Sequence, residues 1–401
     1  MSTKVYIAGL GVISAIGNNV AEHLAAFKNE QAGMGEITHF QSIHKGVLPV
    51  AEVKQTNQEL AAKTGMPADA SRTTLLSLVA AREALDDAAI PDLSTLRTGF
   101  VSANSVGGMD KSEDFFVEFL ADNNKGKLKN IFDHECGSMT ETVAAQLGLT
   151  GFMTTVSTAC SSSANAIFFA ARLIKNGLLD VVVAGGTDAL TKFTLNGFNT
   201  LMILDKNFCK PFDQNREGLN LGEGAGYVVL VSDRVADTLQ KELYAELSGY
   251  CNANDAYHQT ASSPDGTGSY MAMQGALKKA GLQPRDISYI NLHGTGTANN
   301  DSAEGTAIKR LFQEPYPPMS STKSFTGHTL GASGGIEAVF SALAAKHGLI
   351  YPNLRFQTQM EELPFTPETS FREDQDTHHV MSNSFGFGGN CTSLIFSKIA
   401  R

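Results

Sequence analysis

Short apolar runs along the chain alternate with longer segments in which apolar residues recur every three or four positions. The short runs predict buried strands, and the helical spacing predicts helices that pack one face on a core. In the first part of the chain, strands are predicted at 5–10, 98–103, 181–184 and 227–232, and helices at 19–30, 69–87 and 140–147. Strands that alternate with helices indicate an α/β fold built in layers.

The same alternation begins again near residues 235–245. Strands are predicted at 246–250, 289–292, 380–383 and 392–397, and helices at 270–280, 301–312 and after Gly335. No stretch rich in proline or serine separates the two parts, so the pattern predicts two similar halves in one body. We place the boundary at 240, which gives halves 1–240 and 241–401.

Composition narrows the class of function. The chain has 401 residues, enough for two cores, and a formal net charge of −10 from 31 basic and 41 acidic side chains. This balance argues against nucleic-acid binding but allows a local basic patch for an acidic partner. The five cysteines form no C-x-x-C pair, which argues against a zinc ribbon or a disulfide framework and favours a reducing, cytoplasmic setting. The sequence has neither a signal-peptide layout nor a long apolar run, so no membrane span is expected.

The segment TTVSTACSSSANAIFFAARLI (154–174) joins a predicted strand to a predicted helix, and Cys160 lies at the junction. A cysteine at this place faces unpaired backbone N–H groups and the positive end of the helix dipole, which favour the nucleophilic thiolate. The alternative is a small buried cysteine that fills a gap in the core, and this segment alone leaves both interpretations open.

Three glycine-rich clusters in the second half also follow predicted strands, where α/β folds place their sites. They are NLHGTGTANND with His293, STKSFTGHTLGASGGIEAV with Lys323, His328 and Glu337, and NSFGFGGNCTSLIF with Phe385 and Phe387. The chain has ten histidines, and the others lack such a context. The residues themselves therefore point to one thiol and two imidazoles as the reactive groups.

The motifs STACSSS, HGTGT, K-x-x-x-x-H-x-x-G-A-S-G and SFGFGG, in this order, make the whole chain resemble a β-ketoacyl–acyl-carrier-protein synthase. The resemblance is to the elongating kind with a Cys-His-His triad, because the initiating synthases have asparagine in place of the second histidine, here His328. It implies the thiolase-like fold, an α/β architecture in which two similar βαβ-type halves form αβαβα layers.

For the catalytic residues the resemblance implies distinct roles. Cys160 would attack an acyl thioester, and the backbone N–H groups of Cys160 and Phe387 would form the oxyanion hole. His293 and His328 would stabilise the enolate that forms when malonyl carrier protein loses CO₂. The acyl chain would grow by two carbons.

Supporting residues follow from the same resemblance. Lys323, paired with Glu337, would shape the electrostatics around the histidines, while Asp301 and Glu304 would be structural, with no metal. The substrate-binding residues would be Thr295 and Thr297 for the phosphopantetheine arm, and Val106, Phe198 and Phe385 for the acyl pocket. A β-branched Val106 at the pocket floor would restrict long chains, and Phe387 would act as a gate.

The implied substrates are carried on the phosphopantetheine arm of acyl carrier protein, and no further cofactor is expected. Because carrier proteins are acidic, a local basic patch would dock them, and the resemblance places it at Arg72, Lys127 and Lys129. The resemblance also implies a homodimer, with the segment 193–208 near the interface or the acyl pocket. A heterodimer with a related subunit stays open.

The sequence departs from the family pattern at three places. Ala298 replaces the usual proline after the HGTGT motif, and Asn390 and Cys391 follow SFGFGG where asparagine usually comes second. The segment 133–139 (DHECGSM) is unlike the usual loop. These departures leave open whether the enzyme serves fatty-acid elongation or a specialised polyene or polyketide route.

Three other classes of protein compete with this interpretation. A non-catalytic chain-length-factor subunit shares the fold but usually lacks the nucleophile, so Cys160 with both histidines argues against it. A thiolase needs a second catalytic cysteine in the late glycine-rich cluster, and Cys391 lies outside the thiolase pattern. A dehydrogenase is disfavoured because Ser14 replaces the third glycine of an N-terminal dinucleotide fingerprint.

Overall fold

The computed structural model describes residues 4–399 of the chain. The strands are β1 (Val5–Ser14), β2 (Thr98–Ala103), β3 (Phe152–Val156), β4 (Val181–Asp188), β5 (Gly224–Ser232), β6 (Ala245–Asn254), β7 (Tyr289–Asn291), β8 (Met319–Ser320), β9 (His379–Gly386) and β10 (Asn390–Ser397). The helices are α1 (Val20–Lys28), α2 (Asn57–Thr64), α3 (Arg72–Ala88), α4 (Met109–Ala121), α5 (Lys129–Phe132), α6 (Cys136–Gln146), α7 (Ser162–Lys175), α8 (Lys192–Thr200), α9 (Asp233–Ala236), α10 (Thr267–Ala280), α11 (Ala298–Leu311), α12 (Lys323–Thr326) and α13 (Ser333–His347). Short 3₁₀ turns lie at Pro284–Asp286, Leu330–Ala332 and Phe387–Gly389.

The strands of residues 4–399 form one ten-stranded sheet in the order β3-β2-β4-β5-β1-β6-β10-β9-β7-β8. Read from the opposite edge of the sheet, the last five strands run β8-β7-β9-β10-β6. Each of the strands β1–β5 therefore has a counterpart that is numbered five higher and has the equivalent place in its half of the sheet. Directions match too, because β2 is parallel to β3 and β4, and β7 is parallel to β8 and β9. β1 and β6 join the halves in an antiparallel pair. The boundary at 240, between α9 and β6, stays a prediction.

Helices α7 and α13 lie between the two halves of the sheet, which we call half-sheets: strands β1–β5 form one and strands β6–β10 the other. α7 and α13 share one apolar core with residues from both half-sheets, and α13 is buried on all sides over most of its length. α3 and α6 cover the outer face of the first half, and α10 and α11 cover that of the second. The resulting αβαβα layers confirm the predicted thiolase-like fold.

Six helices of the described residues lie where the hydrophobic pattern predicted none, namely α2, α4, α5, α8, α9 and α12. α2 and α8 are short and begin with capping boxes. α4 turns Phe116, Val117 and Leu120 toward the surface, so its apolar residues do not mark a core-facing side. Each helix in the described part of the chain is too short or too polar to cross a membrane.

Candidate active site

Cys160 lies in the turn between β3 and α7 and is only 5% exposed. The preceding residue, Ala159, has a φ of 52°, in the left-handed region that L residues rarely occupy and that often marks functional sites. Gly386 packs against this turn, since a Cβ there would lie 3.0 Å from the carbonyl oxygen of Thr158 and 3.2 Å from Cys160 N. The SFGFGG cluster therefore lies directly against the cysteine, where the backbone N–H of Phe387 acts to lower the pKa of the thiol.

The two predicted histidines meet the cysteine in the tertiary structure. His328 Nε2 lies 3.0 Å from Cys160 Sγ, and the His293 and His328 rings stand nearly perpendicular with centroids 5.4 Å apart. One potential ligand atom of each of the three residues lies within 4.8 Å of the other two. A thiol and two imidazoles from three separate segments of the chain thus form one buried cluster.

The partners of the Nδ1 atoms assign the tautomers of both histidines. The N–H of Leu330 lies 3.3 Å from His328 Nδ1 and can only donate, and the hydroxyl of Ser333 lies 3.0 Å from the same nitrogen. Lys323 Nζ, also a donor only, lies 3.3 Å from His293 Nδ1. Each ring therefore has its proton on Nε2, toward the space above the cysteine. Two N–H donors suit a developing oxyanion better than a metal ion, which would need lone pairs there.

Lys323 forms a buried ion pair with Glu337, and both side chains are almost inaccessible to solvent. Burial raises the pKa of Glu337 to about 7, against the effect of the neighbouring ammonium. Burial first and the Lys323 charge second lower the pKa of both His293 and His328 well below the ordinary value. Both imidazoles are therefore neutral hydrogen-bond donors near neutral pH.

Burial raises the pKa of Cys160 to about 11, although the charge of Lys323 and the N–H of Phe387 act in the opposite direction. The backbone N–H groups at this turn favour the thiolate, as predicted, but their effect is smaller than that of burial. Desolvation outweighs the favourable dipoles because the thiol is buried. At neutral pH the resting nucleophile is therefore mostly a thiol.

Asp301 and Glu304 hold the loop that contains His293. Glu304 accepts the N–H groups of His293 and Gly294 over 2.9 and 2.8 Å. Asp301 accepts the N–H of Phe212 over 2.8 Å and that of Gly296 over 3.2 Å. Both carboxylates are fully buried and bonded to the backbone, as the structural role predicted for them requires.

A cavity of about 380 Å³ leads to the cluster. Thr295 and Thr297 line it with their hydroxyl oxygens 2.9 Å apart. Phe198 and Phe387 stack across it with ring centroids 5.8 Å apart, and Phe385 packs on His293. Residues that the sequence analysis did not single out also line the cavity, among them Met202, Ile203, Thr260, Ser262, Asn299 and Asn300.

Val106 lies outside this cavity, and its N–H and that of Ser105 face the carboxylate of Asp188. Its role at the floor of an acyl pocket stays a prediction. Asp188 is buried and also accepts the N–H of Gly331 over 2.7 Å, so it ties this turn to the His328 loop. The sequence signal was a carboxylate at the end of the buried strand VVVAGGTD, a place where a charge needs fixed partners.

The three predicted docking residues differ in position. Arg72 is buried and bonded through its guanidinium to Glu223, Asn57 and two backbone carbonyls. Its assignment to a docking surface is therefore wrong, because a buried guanidinium that is fully bonded cannot meet a protein partner. Lys127 is exposed, and Lys129 is exposed and paired with Asp69 over 2.9 Å.

Comparison with known proteins identifies the family to which the chain belongs. The family described as "Beta-ketoacyl synthase, N-terminal domain" matches residues 2–236, and "Beta-ketoacyl synthase, C-terminal domain" matches residues 244–357. The chain belongs to the β-ketoacyl synthase family. The resemblance drawn from its motifs is thereby confirmed.

Curated relatives within this family align along almost the whole chain. The 3-oxoacyl-[acyl-carrier-protein] synthase 2 of Staphylococcus aureus (strain N315) is 36% identical over 407 residues, which cover 98% of each chain. The protein of the same name from Synechocystis sp. (strain ATCC 27184 / PCC 6803 / Kazusa) is 34% identical over 411 residues, with the same coverage.

Two solved structures share the fold over their full length. The chain matches the ishigamide ketosynthase/chain length factor with a TM-score of 0.94, 28% identity and complete coverage of both chains. It matches a β-ketoacyl synthase from Burkholderia phymatum STM815 with a TM-score of 0.87 and 29% identity, covering 99% of this chain and 100% of that one.

Proposed function

We propose that this protein is an elongating 3-oxoacyl-[acyl-carrier-protein] synthase that condenses an acyl-Cys160 intermediate with malonyl carrier protein. The observation that carries the proposal is the cluster of Cys160 Sγ, His293 and His328, with His328 Nε2 3.0 Å from the sulfur. The curated relatives, named 3-oxoacyl-[acyl-carrier-protein] synthase 2, support the same reaction.

In the first step the Cys160 sulfur attacks the thioester of an acyl carrier protein. The backbone N–H groups of Cys160 and Phe387 stabilise the oxyanion that forms on the acyl carbonyl. The carrier leaves as its thiol and takes up the proton that the cysteine loses, so the acyl group ends on Cys160.

In the second step malonyl carrier protein enters the cavity and loses CO₂. The Nε2–H groups of His293 and His328 donate to the thioester oxygen, where the enolate charge develops. The enolate carbon attacks the acyl carbonyl on Cys160, the cysteine leaves and is reprotonated, and the product is longer by two carbons. No step requires a cofactor beyond the phosphopantetheine arm, for which Thr295 and Thr297 supply hydroxyl partners.

The experiment that tests this function is intact-protein mass spectrometry after mixing with acyl carrier protein thioesters of different chain length. We expect the wild type to gain the mass of the acyl group and Cys160→Ala to gain none. The chain length that reacts fastest separates a fatty-acid route from a polyketide one. A wild type that gains no mass with any chain, or a Cys160→Ala variant that condenses normally, contradicts the proposal.

A non-catalytic chain-length-factor subunit is the second candidate. Its specific support is the structural match to a ketosynthase/chain length factor. The complete cluster of thiol and imidazoles argues against it, because such a subunit has no use for a placed nucleophile. The same mass measurement separates the two, since a non-catalytic subunit forms no acyl-enzyme.

For the carrier protein we propose docking beside Lys127 and Lys129, which are exposed cations on a net acidic protein. A Lys127→Glu/Lys129→Glu variant should raise the KM for acyl carrier protein and leave the rate with a free pantetheine thioester unchanged. Lys278→Glu/Lys309→Glu, two exposed lysines on α10 and α11, is the matched control. An equal loss with both substrates contradicts docking at this patch.

For the assembly we propose a homodimer in the cytoplasm, where the five free cysteines stay reduced. β3 is an edge strand with Phe152 and Met153 about 40% exposed, and an uncovered apolar edge is a liability in a lone subunit. Sedimentation should show a dimer at micromolar concentration, and Phe152→Lys/Met153→Lys should weaken it. A wild-type monomer at that concentration contradicts the dimer.

A further inference from the structure

Asn390 is a polar hub beside the cysteine turn. Its Oδ1 lies 2.8 Å from Ser161 Oγ, 2.9 Å from Asn165 Nδ2 and 2.7 Å from Asn252 Nδ2. These donors come from the start of α7 and from β6, so one side-chain oxygen binds three groups on two elements. Asn165 Nδ2 reaches on to Thr158 Oγ1 over 2.9 Å, which brings the residue before the strained Ala159 into the same network.

The backbone of Asn390 belongs to the other side of the site. Asn390 begins β10 and pairs with Gly386 at the end of β9, so it closes the hairpin whose turn contains Phe387. Gly386 itself touches the cysteine turn. The hairpin and the cysteine turn are separate parts of the chain, and the contacts of Gly386 and the side chain of Asn390 help to join them.

The two N–H groups expected to form the oxyanion hole lie on these two segments, one on Cys160 and one on Phe387. Their separation decides whether both can donate to one oxygen, and a misplacement of about 1 Å can cost about a hundredfold in rate. The turn at Ala159 holds an unfavourable φ that the surroundings must maintain.

We propose that Asn390 is a positioning residue for acyl transfer, whose Oδ1 fixes the cysteine turn to the Phe387 hairpin and so sets the geometry of the oxyanion hole. The proposal rests on the proposed function and adds a residue at which the sequence departs from the family pattern. It assigns Asn390 to the chemistry at the acyl carbonyl. Malonyl decarboxylation uses His293 and His328, which the hub does not contact.

The test compares Asn390→Leu, which removes the acceptor, with Asn390→Asp, which keeps a side-chain oxygen at the same place. Asn176→Leu, an asparagine at the far end of α7, is the matched control. Two rates are measured: acylation of Cys160 from acyl carrier protein by quenched intact-mass spectrometry, and CO₂ release from malonyl carrier protein by enzyme acylated beforehand. The reactivity of Cys160 toward iodoacetamide as a function of pH is a third readout that needs no substrate.

We expect Asn390→Leu to slow acylation by about ten- to a hundredfold, with CO₂ release by the acylated enzyme unchanged. Asn390→Asp and Asn176→Leu should keep most of the acylation rate. Wild-type acylation by Asn390→Leu overturns the proposal. So does an equal slowing of both steps, which indicates general loosening, or an Asn390→Asp variant as slow as Asn390→Leu.

The alkylation profile separates failure of this inference from failure of the proposed function. In Asn390→Leu the hairpin no longer holds the Phe387 N–H where it lowers the pKa of the thiol, so the pH profile of alkylation should move to higher pH. An unchanged profile overturns the positioning role even if the wild type accepts no acyl carrier protein. If the wild type forms no acyl-enzyme but the alkylation profile of Asn390→Leu is shifted, the proposed substrate is wrong and the positioning role of Asn390 stands.

Discussion

Cys160 Sγ and His328 Nε2 lie 3.0 Å apart although 168 positions separate them in the sequence. Leu330 and Ser333 bond the opposite nitrogen of the same ring, so the imidazole directs its N–H toward the sulfur. The sulfur therefore accepts a hydrogen bond in the resting site, and His328 is available as a donor to the substrate once the sulfur is acylated. This one contact links the nucleophile of the first step to the anion stabiliser of the second.

Loss of either histidine should strongly slow malonyl decarboxylation. His293→Ala and His328→Ala each remove one of two donors to the enolate oxygen, which we expect to slow CO₂ release about a hundred- to a thousandfold. The measurement is CO₂ released from malonyl carrier protein by enzyme acylated beforehand. His378→Ala, an exposed histidine, is the control, and wild-type CO₂ release by His328→Ala would count against the assignment.

Single and double substitutions of the buried ion pair Lys323–Glu337 should affect stability and catalysis differently. Lys323→Met leaves Glu337 buried without its cation, which we expect to lower the free energy of unfolding by about 3–5 kcal/mol. Lys323→Met/Glu337→Leu should recover most of that stability, because no uncompensated charge remains. CO₂ release should stay slow in the double variant, since His293 Nδ1 has lost its donor.

Urea unfolding and CO₂ release, measured on the same three proteins, check this prediction. A double variant that recovers both stability and activity would show that Lys323 serves the fold alone.

Alkylation of Cys160 should rise steadily with pH. Because burial raises the pKa of this thiol to about 11, the thiolate fraction and the rate should grow about tenfold per pH unit between about pH 7 and 10. Lys323→Met should slow alkylation at each pH, since the lysine charge lowers the thiol pKa. The rate is read from intact mass, with Cys160→Ala to identify the site, and a plateau near pH 8 would refute the burial argument.

Thr297 should affect substrate binding more than chemistry. Thr297→Val removes a hydroxyl that lines the cavity, and the loss of a hydrogen bond of about 1 kcal/mol raises KM about fivefold with kcat unchanged. Steady-state kinetics with acyl carrier protein thioesters measure this. Thr200→Val, at the exposed end of α8, is the control, and a fall in kcat without a change in KM contradicts a binding role.

The hydrophobic pattern and the motifs were enough to predict the layers and the reactive groups. Apolar runs predicted the central strands, because a strand buried on both faces has few polar positions, and helical spacing predicted the long helices. The order of the four motifs identified the family, and with it Cys160, His293 and His328. The helices α2, α4 and α8 escaped prediction, since short capped helices and exposed apolar side chains leave no clear period.

What these residues can do depends on how distant segments of the chain pack together. Arg72 and Lys129 are both cations in the sequence, yet one is buried against Glu223 and the other is exposed, because burial depends on how α3 packs. The pKa of Cys160 followed desolvation rather than the helix dipole, and desolvation depends on groups from distant segments. Packing also brings together the atoms that set the tautomers of both histidines and the hydrogen bonds of Asn390. The hydrophobic pattern of a single segment does not specify such contacts.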